Sequence, residues 1–176
     1  MANPKTIDEG IIQLRDLTMI IAASERDKTH PMSGETRRAL LQNFIDTCLD
    51  LRILSYGAKG EELGEFSKPH LQSLLNVLDM WGKKEGAVEA RIAHREVLNV
   101  LGGRGGDYAL TELRKRLNTE NDRENWSQLC KAIGKIENRI LEKSAIQAFG
   151  TLPNGKDRSA LAPVGKNTSA FAAVVK

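Results

Sequence analysis

Apolar residues recur along this chain at three- and four-residue intervals, the spacing of one helical face, and no sustained alternation of the strand type interrupts them. Ile7, Ile11, Leu14, Leu17 and Ile21 predict a first helix over roughly 6–24, with Pro4 just ahead of it and Asp8 and Glu9 at its positive end. "SERDKTHPMSG" breaks the period. Ser33 or Gly34 then opens a second helix whose stripe is Leu41, Phe44, Cys48 and Leu51, widened by Leu40, Ile45, Leu49 and Ile53. So broad a stripe predicts contact with at least two other helices.

"SYGAKGEELGEFS" reads as a loop. Ser67 is a candidate N-cap for a third helix lined by Leu71, Leu74, Leu75 and Leu78 and ending near Trp81. A fourth segment, 87–101, places Ala90, Ala93, Val97 and Val100 on one side, small enough for a neighbour to come close. Leu110, Leu113 and Leu117 mark a short fifth helix. After "NTENDREN", Asn121 or Asp122 can cap a long sixth helix in which Trp126, Leu129, Ile133, Ile136 and Ile140 form the apolar side as far as about Phe149. Trp126 and Phe44 both have core spacing.

From Gly150 the period is lost among two prolines, three glycines and many small residues. Such a stretch does not offset its own ordering entropy. The expected organisation is an all-α domain over 1–149, an irregular bundle of five or six helices, followed by a tail over 150–176. That tail is either disordered or a subunit-docking arm, its apolar "AFAAVVK" seated on a neighbour.

Composition adds little to the fold and more to the setting. With 176 residues the chain suits one domain with a sizeable core, and aromatics at 5% favour aliphatic helix packing. No apolar run approaches the roughly 20 residues of a membrane span. The opening "MANPKTIDEG" has no hydrophobic signal core, so a cytoplasmic protein is expected, without membrane partners. Two cysteines, Cys48 and Cys130, make no disulfide framework and read as buried free thiols.

Catalytic chemistry finds no visible support. The three histidines, His30, His70 and His94, form no metal-ligand spacing, and His94 reads as a surface or boundary residue. The clusters Glu61–Glu62–Glu65 and Glu120–Asp122–Glu124 lie in polar stretches and read as solvated. No nucleophile elbow, no cofactor motif and no metal site is expected. "GGRGG" at 102–106 lacks both glycine-rich phosphate-loop patterns. It reads as a flexible hinge, with Asp107 capping the next helix and Arg104 near that helix's anion-favouring end.

Positive charge is more orderly. Residues 1–66 carry eight basic and eleven acidic groups, and residues 67–176 carry eighteen and twelve. In the basic part, Arg91 and Arg95 form one short ladder and Lys131, Lys135 and Arg139 a second. Arg114, Lys115 and Arg116 follow Arg104 and the glycines. These nine residues are the candidate contacts to the phosphates of RNA or DNA, which are sensed through charge and spacing. The expected function is therefore a non-catalytic nucleic-acid-binding or nucleoprotein-assembly protein, acting as a homo-oligomer or with a partner protein. The alternative is a helical protein–protein adaptor using the Phe44 helix and the terminal arm. A third class, an enzyme whose groups meet only in three dimensions, stays open.

Overall fold

A computed structural model describes residues 6–26, 29–54, 65–82 and 88–149. Within them the chain is all-helical: α1 Ile7–Arg26, α2 Gly34–Ile53, α3 Lys68–Gly82, α4 Val88–Arg104, α5 Asp107–Leu117 and α6 Arg123–Phe149. No strand occurs among the described residues, and no helix there is long and apolar enough to cross a membrane. The expected tail, and with it the docking arm, lies outside the described residues.

The helix starts follow from local chemistry. Ser33 caps α2 by accepting the Thr36 N–H at 3.1 Å. Asp122 caps α6, its Oδ1 accepting the N–H groups of Glu124 and Asn125, each at 2.9 Å. Thr6 and Glu9 bond reciprocally at the head of α1, both at 3.2 Å, in a capping box.

Contacts of known sequence position define the packing. Gly10 of α1 lies against Leu51 of α2, and Glu25 pairs with Arg37 at 2.7 Å, so α1 and α2 are antiparallel. Trp81 Nε1 donates to Thr18 Oγ1 at 3.2 Å and His70 meets Asp8 at 2.6 Å, which sets α3 parallel to α1. The Phe66 N–H donates to the Arg104 carbonyl while Gly82 approaches His94, so α4 runs back along α3. Arg91–Glu124, Asn99–Lys135 and Gly102–Ala132 place α6 parallel to α4. The fourth helix is thus enclosed by α2, α3 and α6, and ten of its seventeen residues are buried.

Leu14, Leu17, Phe44, Cys48, Leu51, Leu74, Leu75, Val97, Leu101, Leu113 and Ile136 are all fully buried in one core. Phe44 and Trp81 meet edge to face with centroids 5.4 Å apart. Thr18 is fully buried as well, and its hydroxyl is satisfied twice, donating to the Leu14 carbonyl and accepting from Trp81.

Two sequence expectations about burial change here. Trp126 is 49% exposed. It lies on the apolar side of α6, but in the first turns, ahead of the buried run that begins at Leu129. Cys48 is buried as expected, and burial pushes its thiol well up from the ordinary range, whereas Cys130 is only half-buried. The compact unit ends at Ile140. Residues from Leu141 belong to a second unit, of which the last turns of α6 are described, with Leu141 and Ile146 exposed.

Candidate functional site

The nine cationic candidates separate into distinct groups once their neighbours are known. Arg91 pairs with Glu124 at 3.1 Å and with Asp122 at 3.6 Å. Arg114 reaches Glu137 at 2.6 Å, and Lys115 reaches Glu112 at 2.6 Å. Arg116 grips Asp79 through two bonds of 2.8 Å and touches Glu112 at 3.4 Å. The paired Asp79 carboxylate pushes the Arg116 guanidinium up, and the Lys115 hydrogen bond holds Glu112 below its usual range. These four cations join helix to helix or stabilise their own turn, and their charge is largely matched locally.

Arg104 and Arg139 serve the GGRGG junction. The fourth helix continues through Gly102 and Gly103 to Arg104, so the segment read as a hinge is mostly helix, and only Gly105 and Gly106 lie between α4 and α5. Gly106, not Asp107, occupies the N-cap position of α5. Arg104 is 4% exposed, its guanidinium 4.7 Å from the Phe66 ring centroid. The carboxylate of Glu65 lies against Gly106, where an added Cβ would collide with it. The carboxylate of this exposed residue therefore sits at the amino end of α5, where negative charge is favoured. Arg139 donates to the Gly105 carbonyl. Arg104 is thus enclosed, while Arg139 is half-buried.

Three candidates remain together. Arg95, Lys131 and Lys135 line a groove of about 610 Å³ between α4 and α6, with Asn99, Ser127 and Glu124. The groove is built from below by Glu96, which is 9% exposed. Glu96 accepts Arg95 Nε at 3.1 Å and Asn99 Nδ2 at 3.3 Å, and Asn99 Oδ1 in turn accepts Lys135 Nζ at 3.3 Å. Lys131 and Lys135 are exposed and one helical turn apart, about 6 Å along the axis. Glu124, the one carboxylate in the lining, is the partner of Arg91.

A second concavity was not anticipated. His94 is 5% exposed, since α4 is covered on most sides, and it lines two adjoining recesses of about 410 and 220 Å³. Their shared wall also includes Gly82, Thr119 and Glu120. Gln128 Nε2 donates to Glu124 Oε1 at 3.4 Å, which turns its Oε1 toward the imidazole. Oε1 and His94 Nδ1 are both buried, and neither makes a hydrogen bond of good geometry. A neutral imidazole has one donor and one acceptor nitrogen, and with the proton on Nδ1 the acceptor is Nε2. No group of three or more metal-ligating side chains occurs among the described residues.

Burial lowers the His94 pKa from 6.5, against the opposing pull of Gln128, Glu120, Asp79 and Asp122. The other charges lining its recesses are Arg91 and Arg116, both cationic. The unfolded chain therefore binds the proton at a higher pH than the folded one. Stability contributed by neutral His94 is complete above pH 6.5 and declines as pH falls toward the lowered folded value, by at most about 1.4 kcal/mol per pH unit. Urea midpoints followed by circular dichroism across this window are expected to fall for the native chain and to stay flatter for His94→Gln. Equal slopes in the two proteins would refute the assignment. Asp122, lowered from 3.8 chiefly by the Asn125 N–H, and Glu112, lowered from 4.5, act only in more acidic solution.

No protein-family model matches this chain, and neither a curated protein nor a solved structure matches it.

Proposed function

We propose that the chain is a non-catalytic protein that binds the sugar–phosphate backbone of RNA or DNA along the α4–α6 groove, within a nucleoprotein assembly. One observation carries this reading. Lys131 and Lys135, with Arg95 beside them in an ion pair with Glu96, line one concave strip with uncharged hydrogen-bonding side chains, and the one carboxylate in its lining, Glu124, is paired with Arg91. A backbone held by charge and amide donors is bound without base-specific pairing. The contact set is smaller than the nine residues predicted from sequence, so the affinity it supports is modest and depends on several copies acting along one strand.

Two neutralised phosphates on a single strand, one at each lysine, give a slope of log affinity against log salt of about −1.4. Fluorescence anisotropy with a short labelled RNA and the matching DNA, between about 50 and 200 mM salt, measures it. Lys131→Glu with Lys135→Glu is expected to weaken binding at least about tenfold and to flatten the slope toward zero. Binding that ignores both salt and these reversals would sink the proposal.

The adaptor reading rests on a different observation. Ile12, Met19 and Ile20 are 50%, 55% and 42% exposed and share one face of α1 at intervals of seven and eight residues. The Phe44 helix offers less than expected, because Phe44, Cys48 and Leu51 are spent on the internal core. An adaptor complex would survive the salt and the lysine reversals that dissolve a phosphate contact.

A further inference from the structure

We propose that the recess holding His94 is a binding site for a small primary amine, taken as its ammonium ion. The site is separate from the α4–α6 groove and its argument does not depend on nucleic-acid binding.

The argument begins with a charge left over. Asp79 is matched by Arg116, and Asp122 shares Arg91 with Glu124, but no cation among the described residues forms an ion pair with Glu120. Glu120 Oε1 accepts the Asp122 N–H at 2.8 Å, which anchors the side chain and leaves the rest of the carboxylate to the recess. Glu120 borders both recesses, as does His94.

One edge of the buried His94 ring faces the same space. The Cδ2–Nε2 edge of His94 lies beside Gly82, where an added Cβ would stand 3.7 and 3.8 Å from those atoms. In the neutral tautomer with its proton on Nδ1, Nε2 is the edge that accepts. Asn125 Oδ1, in the same lining, is buried and without a hydrogen-bond partner. Three acceptors, one of them anionic, thus border one space. A primary ammonium has three N–H donors and one positive charge, which matches them in number, sign and direction.

The remaining walls suit a short carbon stem. Trp81 and Ala90 close the larger recess, and Leu78 and Leu129 close the smaller. A carboxylate or phosphate ligand is disfavoured: Arg91 and Arg116 also line the recesses but are held by Glu124, Asp122 and Asp79, whereas Glu120 has no paired cation. A neutral alcohol of the same length would leave the Glu120 charge unmatched.

The test follows the His94 ring by NMR in the full chain at about pH 7.5, where imidazole is neutral and an alkylamine is protonated. Propylammonium chloride is titrated alongside propan-1-ol, which keeps the stem and loses the charge, and tetramethylammonium chloride, which keeps the charge and loses the donors. Propylammonium alone is expected to move the His94 resonances saturably. In Glu120→Gln, which retains the acceptor for the Asp122 N–H, the half-saturating concentration should rise at least about tenfold, the weight of one charge-assisted hydrogen bond. The proposal is overturned if either control moves His94 equally, if propylammonium gives no saturable change, or if Glu120→Gln binds it as the native chain does. None of these outcomes bears on the groove, whose lysines lie outside the recess.

Discussion

Trp81→Ala is expected to remove about 3–5 kcal/mol of stability, the usual cost of truncating a fully buried large aromatic. The side chain is 1% exposed at the meeting of α1, α2 and α3. It packs edge to face on Phe44, a geometry that adds about 0.5–1.5 kcal/mol beyond its area, and its Nε1–H is held by Thr18. For a domain of this size such a loss is a large part of a total near 5–15 kcal/mol. Urea unfolding followed by circular dichroism measures it. Trp81→Phe separates the contributions, because it keeps a ring against Phe44 and gives up only the indole and its hydrogen bond. Thr18 still donates to the Leu14 carbonyl in that variant, so the expected cost is about 1–2 kcal/mol. Equal losses for Ala and Phe would mean that the hydrogen bond, not ring packing, holds the three helices together.

Gly105→Ala is expected to cost about 3 kcal/mol, at the upper end of overpacking penalties. The methyl group would stand 2.6 Å from the Leu101 carbonyl oxygen, 2.7 Å from Ala109 Cβ and 3.0 Å from Ile136 Cδ1. Two of those neighbours are fixed by backbone, so relief requires α4, α5 and α6 to separate. Gly103→Ala is the internal control. Nothing lies within 4 Å of a Cβ there and the residue is helical, so the change is expected to stabilise by up to about 1 kcal/mol. Opposite signs at two positions of one glycine cluster would be read directly from the shift in urea midpoint. Matching signs would refute the packing account of the junction.

The glycine cluster also marks the limit of what periodicity reveals. The apolar spacing placed every helix to within about three residues, and the starts at Ser33 and Asp122 were readable because a cap is a local device. GGRGG was misjudged because glycines that disfavour an isolated helix were needed for close approach, as at Gly102, which lies against Ala132 and Lys135. His94 was misplaced for a related reason. The fourth helix carries Arg91, His94, Arg95 and Glu96 within six residues and resembles a surface helix, yet it is the one enclosed on three sides.

Charge was the least transparent property. The ladders of Arg91, Arg114 and Arg116 look unopposed in sequence, but their partners are 33, 23 and 37 residues away. Pairing at that separation is decided by how helices pack, which no local pattern encodes. Lys131 and Lys135 remain as the pair whose four-residue spacing could have been singled out, since the carboxylate that follows, Glu137, faces Arg114. The Glu120–His94 recess joins α4 to the α5–α6 connection and had no signal in the sequence beyond a polar stretch.

Cys48 turns the core into its own reporter. Its thiol is fully enclosed, and burial suppresses the thiolate that alkylating reagents need, so reaction must wait for the helices around it to part. Cys130 is half-buried and labels without that wait, which leaves Cys48 as a single chemically addressable position at the centre of the bundle. When reclosing is faster than capture, the labelling rate gives the free energy of opening in plain buffer. The bundle can then be weighed without denaturant, and any added ligand that holds the helices together will slow that one thiol in proportion to its occupancy.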